Sequence, residues 1–369
     1  MTSYKGSRGP ALARLGRASA CAGIAFACVC GCSSPRPASG PASHVLVVIN
    51  EDSETSKTVG EYYAKCRAVP ASNVLRLRAA LSEETSQTEF ESDILAPIRA
   101  ATNTCPNRID YVVLTKGIPI RIREGGYSVD GKIAAMDLPA RDVGHGVRLT
   151  PNPFFLQNAP FDSSRYGMLL VTRLDGYDAA DCERLVDDSL KAGSETGPFF
   201  FDPAKNRTGG AYGLLQEEMF DAAGSLRGKG LKIEIGKAGA FSAPDEPLAG
   251  YCSWGSNDSS FNRDVYGRLR FKPGALAETF VSTDGRTFSD RYSRGQSLVA
   301  DLIAQGVTGV KGYVSEPYIF ALAHPQVLWD RYTSGYDLAE SFYMASAVLG
   351  WKDVVIGDPL CRPYKSLSH

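Results

Sequence analysis

Runs of apolar residues of strand length alternate along the chain with stretches whose apolar positions recur at helical spacing. The first kind covers 44–50 (His-Val-Leu-Val-Val-Ile-Asn), 74–77, 111–115, 168–174, 199–202 and 231–235. These runs are continuous enough for burial on both faces of a parallel sheet. Between them the spacing predicts helices over 55–67, 86–101, 179–192 and 212–226, the second entered through the capping box Ser86-Gln-Thr-Glu89. Residues 116–123 continue the third run past a break, and 124–167 lapses into Gly, Pro and Asn. So long an irregular segment suits a lid or an excursion over a sheet edge. Three later apolar runs, 250–258, 277–285 and 307–317, end in hydroxyls and charges. Helices are predicted over 293–305 and 338–349, before a last run at 354–359. The alternation implies an α/β fold, a mainly parallel, doubly wound sheet with helices on both faces. Residues 44–195 form its first half and 196–369 its second.

The first 43 residues stand outside this pattern. Lys5, Arg8, Arg14 and Arg17 precede an apolar stretch at 18–29, too short to span a bilayer and suited to a secretory signal. Val29-Cys30-Gly31-Cys32 resembles a bacterial lipobox, which would make Cys32 the lipidated first residue of the mature protein. A signal cut at a nearby small residue, or kept as an uncleaved tether, is the alternative. Residues 33–43 (Ser-Ser-Pro-Arg-Pro-Ala-Ser-Gly-Pro-Ala-Ser) read as a flexible tether. The expectation is an exported lipoprotein of the bacterial cell envelope, held to the membrane by its anchor. Without residues 1–32 the chain carries 36 basic and 41 acidic residues, which gives no electrostatic case for nucleic acid. Beyond Cys32 lie Cys66, Cys105, Cys182, Cys252 and Cys361; five cannot all pair internally, and Cys66 with Cys105 is the first candidate for a bridge.

In a parallel sheet the carboxyl ends of neighbouring strands share one edge, so the three polar endings predict a single site. Its candidate binding residues are Ser253, Trp254, Asn257, Asp258, Ser282, Thr283, Lys311 and Glu316. Trp254, Tyr313 and Tyr318 would suit a ligand-stacking wall, although large aromatics are more often core packing. Candidate nucleophiles are Cys252, and Ser282 with Lys311 as a desolvated base. Cys252 alternates within a strand, which favours a buried, inert thiol, and nothing in the spacing brings Ser282 and Lys311 within hydrogen-bonding reach. Asp130, Asp175, Asp258, Asp284, Glu316 and Asp358 fall at or after predicted strand ends. Asp130, Asp175 and Asp258 are the candidate ligands for a hard divalent cation, against the commoner use of Asp in caps and turns. No other cofactor is implied, and four histidines are too few for a His-rich metal centre.

Val112-Val-Leu-Thr-Lys-Gly-Ile-Pro119, Ser128-Val-Asp130, Thr172-Arg-Leu-Asp175 before a helix, and Gly357-Asp-Pro359 resemble, in this order, segments of gingipain-type cysteine peptidases. That resemblance implies a caspase-like fold. Ser253-Trp-Gly-Ser-Asn-Asp258, Glu278-Thr-Phe-Val-Ser-Thr283 and Gly312-Tyr-Val-Ser-Glu-Pro317 resemble more closely an uncharacterised family of exported bacterial proteins, a likeness covering nearly all of 44–364. The peptidase resemblance implies a His in Gly-His-Gly after one late strand and a Cys at the end of the next, a thiolate paired with an imidazole. The matching positions here hold Ser253-Trp254-Gly255 and Ser282. A tryptophan cannot act as base, and a serine without a base is a weak nucleophile. Gly144-His145-Gly146 has the right letters in the early excursion, where a surface turn is the plainer reading. The expected function is therefore non-catalytic binding of a ligand or partner on a caspase-like fold. The alternative is a peptidase-like hydrolase using Cys252 or Ser282.

Overall fold

The computed structural model describes residues 40–143, 147–194 and 197–364. The signal and lipidation site at Cys32, most of the tether, Gly144-His145-Gly146 and His369 lie outside the described residues.

Ten strands make one sheet: β1 Val45–Asn50, β2 Val74–Leu77, β3 Tyr111–Thr115, β4 Leu170–Leu174, β5 Phe199–Asp202, β6 Ile233–Ile235, β7 Leu248–Ser253, β8 Phe271–Thr279, β9 Gly309–Tyr313 and β10 Asp353–Gly357. Their order is β6-β5-β7-β8-β9-β10-β4-β3-β1-β2, so both predicted halves contribute to it. β1, β3, β4, β5 and β7 are buried at every residue, as their unbroken apolar runs require. Every neighbouring pair is parallel except β9 with β10. This single reversal turns β10, β4, β3, β1 and β2 against the other five strands, so the sheet has two carboxyl-end rims.

The helices that flank it are α1 Glu54–Arg67, α2 Val129–Ala134, α3 Ala179–Lys191, α4 Gly210–Gly228, α5 Val299–Ala304, α6 Pro325–Thr333 and α7 Leu338–Met344. α1 packs on α3 and α3 on α5, while α4 packs on α6 and α6 on α7. The two groups lie on opposite faces. Gly309 meets Leu338 of α7 and Gly312, three residues along the same strand, meets Val299 of α5, which strand alternation sends to opposite sides. The fold is thus the expected mainly parallel α/β sheet covered on both faces.

Several elements depart from the expectation. Residues 86–101 are helical but carry a π-helical stretch, Phe90–Leu95, after a capping box that does form at Ser86 and Glu89. Residues 116–123 leave the main sheet, and Arg121–Ile122 pairs with Glu84–Thr85 instead. The excursion 124–167 holds α2 and the strands Arg141–Asp142 and Arg148–Pro151, the latter paired with Val348–Leu349. The helix expected from 293 starts at Val299, because Arg286 draws the carbonyls of Arg294 and Gln296 into a loop around its guanidinium. α6 was not expected; Pro325 opens it and Leu328, Trp329 and Tyr332 form its buried stripe. All five described cysteines are free thiols, Cys66 and Cys105 included.

Candidate functional site

β7, β8 and β9 lie side by side, so Ser253, Thr279 and Tyr313 end on one rim. A cavity of about 600 Å³ opens there, and Trp254, Asn257, Ser282 and Glu316 line it as the sequence pattern expected. Its remaining walls come from Arg207 to Tyr212 at the start of α4, from Phe280, and from the segment Pro317 to Leu322.

Trp254 is the floor. Its indole Nε1 donates to Gln216 Oε1 at 3.0 Å, and the same oxygen accepts the Ala204 backbone N–H at 2.7 Å. Phe280 and Tyr212 meet the indole edge to face at centroid distances of 5.0 and 5.8 Å. The Arg207 guanidinium lies over both Tyr212 and Trp254, 4.8 and 5.3 Å from their centroids. Its Nε donates to the Asn257 carbonyl at 3.0 Å. Such contacts hold the rings rigid; Trp254 and Phe280 are themselves buried, and Tyr212 and Tyr318 are the aromatics that the wall exposes. Gly255 makes the turn after Trp254 with φ 48°, and a Cβ there would stand 2.8 Å from Val281 Cγ2. Asn257 crosses to the next strand end: its Nδ2 donates to the Phe280 carbonyl at 2.7 Å, and its Oδ1 accepts from Gln296 Nε2 at 3.2 Å. Thr283 Oγ1 in turn donates to Gln296 Oε1 at 2.7 Å. Opposite, Tyr318 is half exposed and holds φ 58° and ψ 162°, a strained conformation for a non-glycine residue. Strain of that kind costs about 1–3 kcal/mol and persists where the surroundings enforce it, often at binding sites.

The other expected residues lie beneath this surface. Ser253 is buried and accepts from the Gly255 backbone N–H at 3.0 Å. Asp258 is buried and closes a turn by accepting from Ser260 N at 2.7 Å. Lys311 is fully buried; its Nζ donates to the Ala321 carbonyl at 2.9 Å and to Ser346 Oγ at 2.8 Å, and pairs with Asp353 at 3.3 Å. Those three partners occupy the ammonium, and no hydrogen bond joins it to Ser282. Tyr313 is buried as well, donating its hydroxyl to Glu278 Oε1 at 2.7 Å. Glu278 pairs with Lys311 in register across β8 and β9, and burial pushes its carboxyl up to about 8 in spite of that lysine.

Cys252 is completely buried within β7, and burial drives its thiol well above the ordinary value. Among the described residues no histidine is hydrogen-bonded to Cys252 or Ser282. His324 caps α6 with its Nδ1 3.0 Å from both Glu218 carboxylate oxygens, and His44 Nδ1 lies 3.2 Å from Asp110.

The candidate cation ligands do not converge. Asp130 and Asp175 both grip the buried Arg173 guanidinium, at 2.6 and 3.0 Å, while Asp258 stands on the rim of the oppositely directed strands. The reversal at β10 is what separates them, and a bound guanidinium satisfies the carboxylates that a cation would need. Asp358 is likewise taken, by Arg67 and by the Tyr63 hydroxyl. Among the described residues no group of three His, Cys, Asp or Glu side chains could hold a metal ion.

Gln216, Arg207, Tyr212 and Glu278 escaped the sequence reading. Glu278 and Lys311 did carry a signal, since each is a charge inside an apolar strand.

No known protein family matches the chain, and no curated protein does. Among solved structures the chain is similar to one named "Structure of Protease", with 9% identity over 89% of this chain and 80% of that one, at a TM-score of 0.48. A likeness of that size carries no argument about chemistry.

Proposed function

We propose that this chain is a non-catalytic binding protein built on a caspase-like α/β fold, and that it takes a ligand or a partner's side chain with a flat or apolar face in the cavity over Trp254. One observation carries this reading: the cavity at the shared strand ends is walled by Trp254, Tyr212, Phe280 and Tyr318, while Ser282, the hydroxyl on its lining, has no basic partner among the described residues. A hydroxyl without a base beside it is a poor nucleophile. The buried Cys252 thiol supports the same conclusion from the other candidate nucleophile. The lipobox-like Val29-Cys30-Gly31-Cys32 supports export and anchoring through Cys32; no described helix is long and apolar enough to cross a membrane.

The test pairs binding with labelling. Short peptides and monosaccharides bearing aromatic groups are titrated while tryptophan fluorescence is read, with Trp254→Phe and Tyr318→Ala expected to weaken the response and Ser282→Ala to leave it within twofold. A fluorophosphonate or iodoacetamide probe should leave Ser282 and Cys252 of the folded protein unmodified, whatever it does at the partly exposed thiols of Cys66 and Cys105. Labelling at Ser282 or Cys252, or peptide hydrolysis abolished by Ser282→Ala, would replace this reading with a hydrolase. For the anchor, Cys32→Ser should move the protein out of the membrane fraction.

A further inference from the structure

Lys132 of α2 and Lys352, just before β10, meet over a single aromatic ring. Lys132 Nζ stands 3.6 Å from the Tyr127 ring centroid, and Lys352 Nζ is 4.9 Å from that centroid and 4.8 Å from that of Trp351. Lys352 is 9% exposed and donates to the Gly125 carbonyl. Gly126 packs so closely that a Cβ on it would lie 3.3 Å from Lys352 Nζ and 2.9 Å from Ser315 Oγ. Ser315 Oγ closes this turn by donating to the Gly126 carbonyl at 2.6 Å.

No described carboxylate pairs with either ammonium. The charges that act on Lys132 are those of Lys352 and Arg148, both positive; together with burial, the larger cause, they hold Lys132 down at about 8. Burial alone lowers Lys352. Among the described residues the other buried cations have their counter-charges: Arg173 has Asp130 and Asp175, and Lys311 has Asp353. Like charges that share a water-poor ring repel one another, and a ring quadrupole only partly offsets this. An oxyanion arriving between them would be attracted by both ammonium groups and offset their mutual repulsion.

The surroundings describe the rest of the ligand. Tyr318 stacks on Trp351 at 6.4 Å and 28°, Phe320 tilts over it at 6.0 Å, and both Tyr318 and Phe320 are exposed. They form an aromatic shelf next to Lys352.

We propose that Lys132 and Lys352 form an oxyanion-binding site for a ligand bearing a carboxylate or phosphate beside a flat ring, the anion lying between the ammonium groups and the ring against Tyr318 and Phe320. The site shares Tyr318 with the cavity over Trp254 but none of that cavity's other groups, and it stands whatever the cavity binds.

The full chain, its lysines reductively methylated with ¹³C-formaldehyde, tests this by NMR titration against phenyl phosphate, benzoate and inorganic phosphate. Expected is a Lys132 signal that titrates near 8 in the free protein and shifts upward by at least half a pH unit with phenyl phosphate or benzoate. The stronger of the two names the anion, and weaker binding of inorganic phosphate shows the contribution of the shelf. In calorimetry, Lys132→Gln and Lys352→Gln should each weaken binding about tenfold or more, as the loss of a charge-assisted hydrogen bond does, whereas Lys57→Gln, on the exposed face of α1, should not. The titration needs no variant, so a misfolded variant does not blunt it. An unmoved Lys132 signal with all three probes at 10 mM overturns the proposal, as does binding that survives both substitutions.

Discussion

Glu278→Gln should change how the protein's stability depends on pH. Glu278 is fully buried, and its Oε1 accepts from the Tyr313 hydroxyl at 2.7 Å and from the Ala323 backbone N–H at 3.3 Å. Lys311 sits between Glu278 and Asp353, and one cation needs only one anion. Asp353 already pairs with Lys311 at 3.3 Å and is partly exposed, so the proton stays on Glu278. Burial raises Glu278 from 4.5 to about 8. In the folded state it keeps its proton up to that pH, whereas unfolded it releases it near 4.5. The native state therefore binds more protons between those values, and stability falls as pH rises through the window. At about 1.4 kcal/mol per unit the full fall is about 5 kcal/mol, an upper figure because relaxation and water entry reduce it. Glutamine keeps the acceptor oxygen, replaces the carboxyl proton with an amide donor, and does not titrate. Urea denaturation of both proteins from pH 5 to 8.5 reads the difference directly. The glutamine variant should gain on the parent steadily toward pH 8, by roughly 2–5 kcal/mol across the window. Asp202, another raised carboxyl, lies outside the reach of Glu278 and acts alike on both proteins. Parallel curves would show that Glu278 ionises normally and that the reasoning about its neutral state is wrong.

Three other outcomes are expected. Arg173→Met strands the buried Asp130 without its cation, while Asp175 keeps Lys116 at 3.1 Å, and should cost about 3–5 kcal/mol in denaturant unfolding; Arg173→Lys should recover little, because the guanidinium also serves the carbonyls of Ile118 and Pro119. Gly285→Ala places a Cβ 2.9 Å from the Tyr313 nitrogen and 3.1 Å from the Gly312 carbonyl carbon, so its Tm should drop by several degrees, about 1–3 kcal/mol of overpacking; an unchanged Tm would mean the loop is free to move off β9. Iodoacetamide in native buffer should leave Cys252 intact and modify it only on unfolding, with mass spectrometry of the peptide as the readout.

Several strands were legible because their apolar runs admit one reading: 74–77, 111–115 and 199–202 match β2, β3 and β5 residue for residue, whereas β8 runs over 271–279 and only its end falls in the expected 277–285. The rim was legible too, since strand direction follows from strand–helix alternation from β5 to β9. The direction of β10 was not. Val354-Val-Ile-Gly357 has the same pattern whichever way the strand runs, and only the packing of α6 and α7 ahead of it decides. That reversal also undid the expected gathering of Asp130 and Asp175 with Asp258. Lys311 read as a rim residue because charge usually marks exposure, yet its neighbours Val310 and Gly312 are both buried. The far wall of the cavity, from Pro317 to Leu322, carries no periodic signal, and its placement rests on long-range contacts such as Trp351 Nε1 donating to the Pro317 carbonyl at 2.7 Å.

Because β10 inverts the polarity of the sheet midway, chain segments that follow strands depart from two opposite borders. The turns after β1 and β4, at Glu51 and Asp175, leave from the border away from Trp254, where Ser53, Lys116 and Asp175 already line a crevice of about 320 Å³. Lengthening a turn there adds surface without narrowing the mouth over the indole. A sheet of this kind offers two plots of ground to build on, and occupation of one leaves the other's shape to vary by itself.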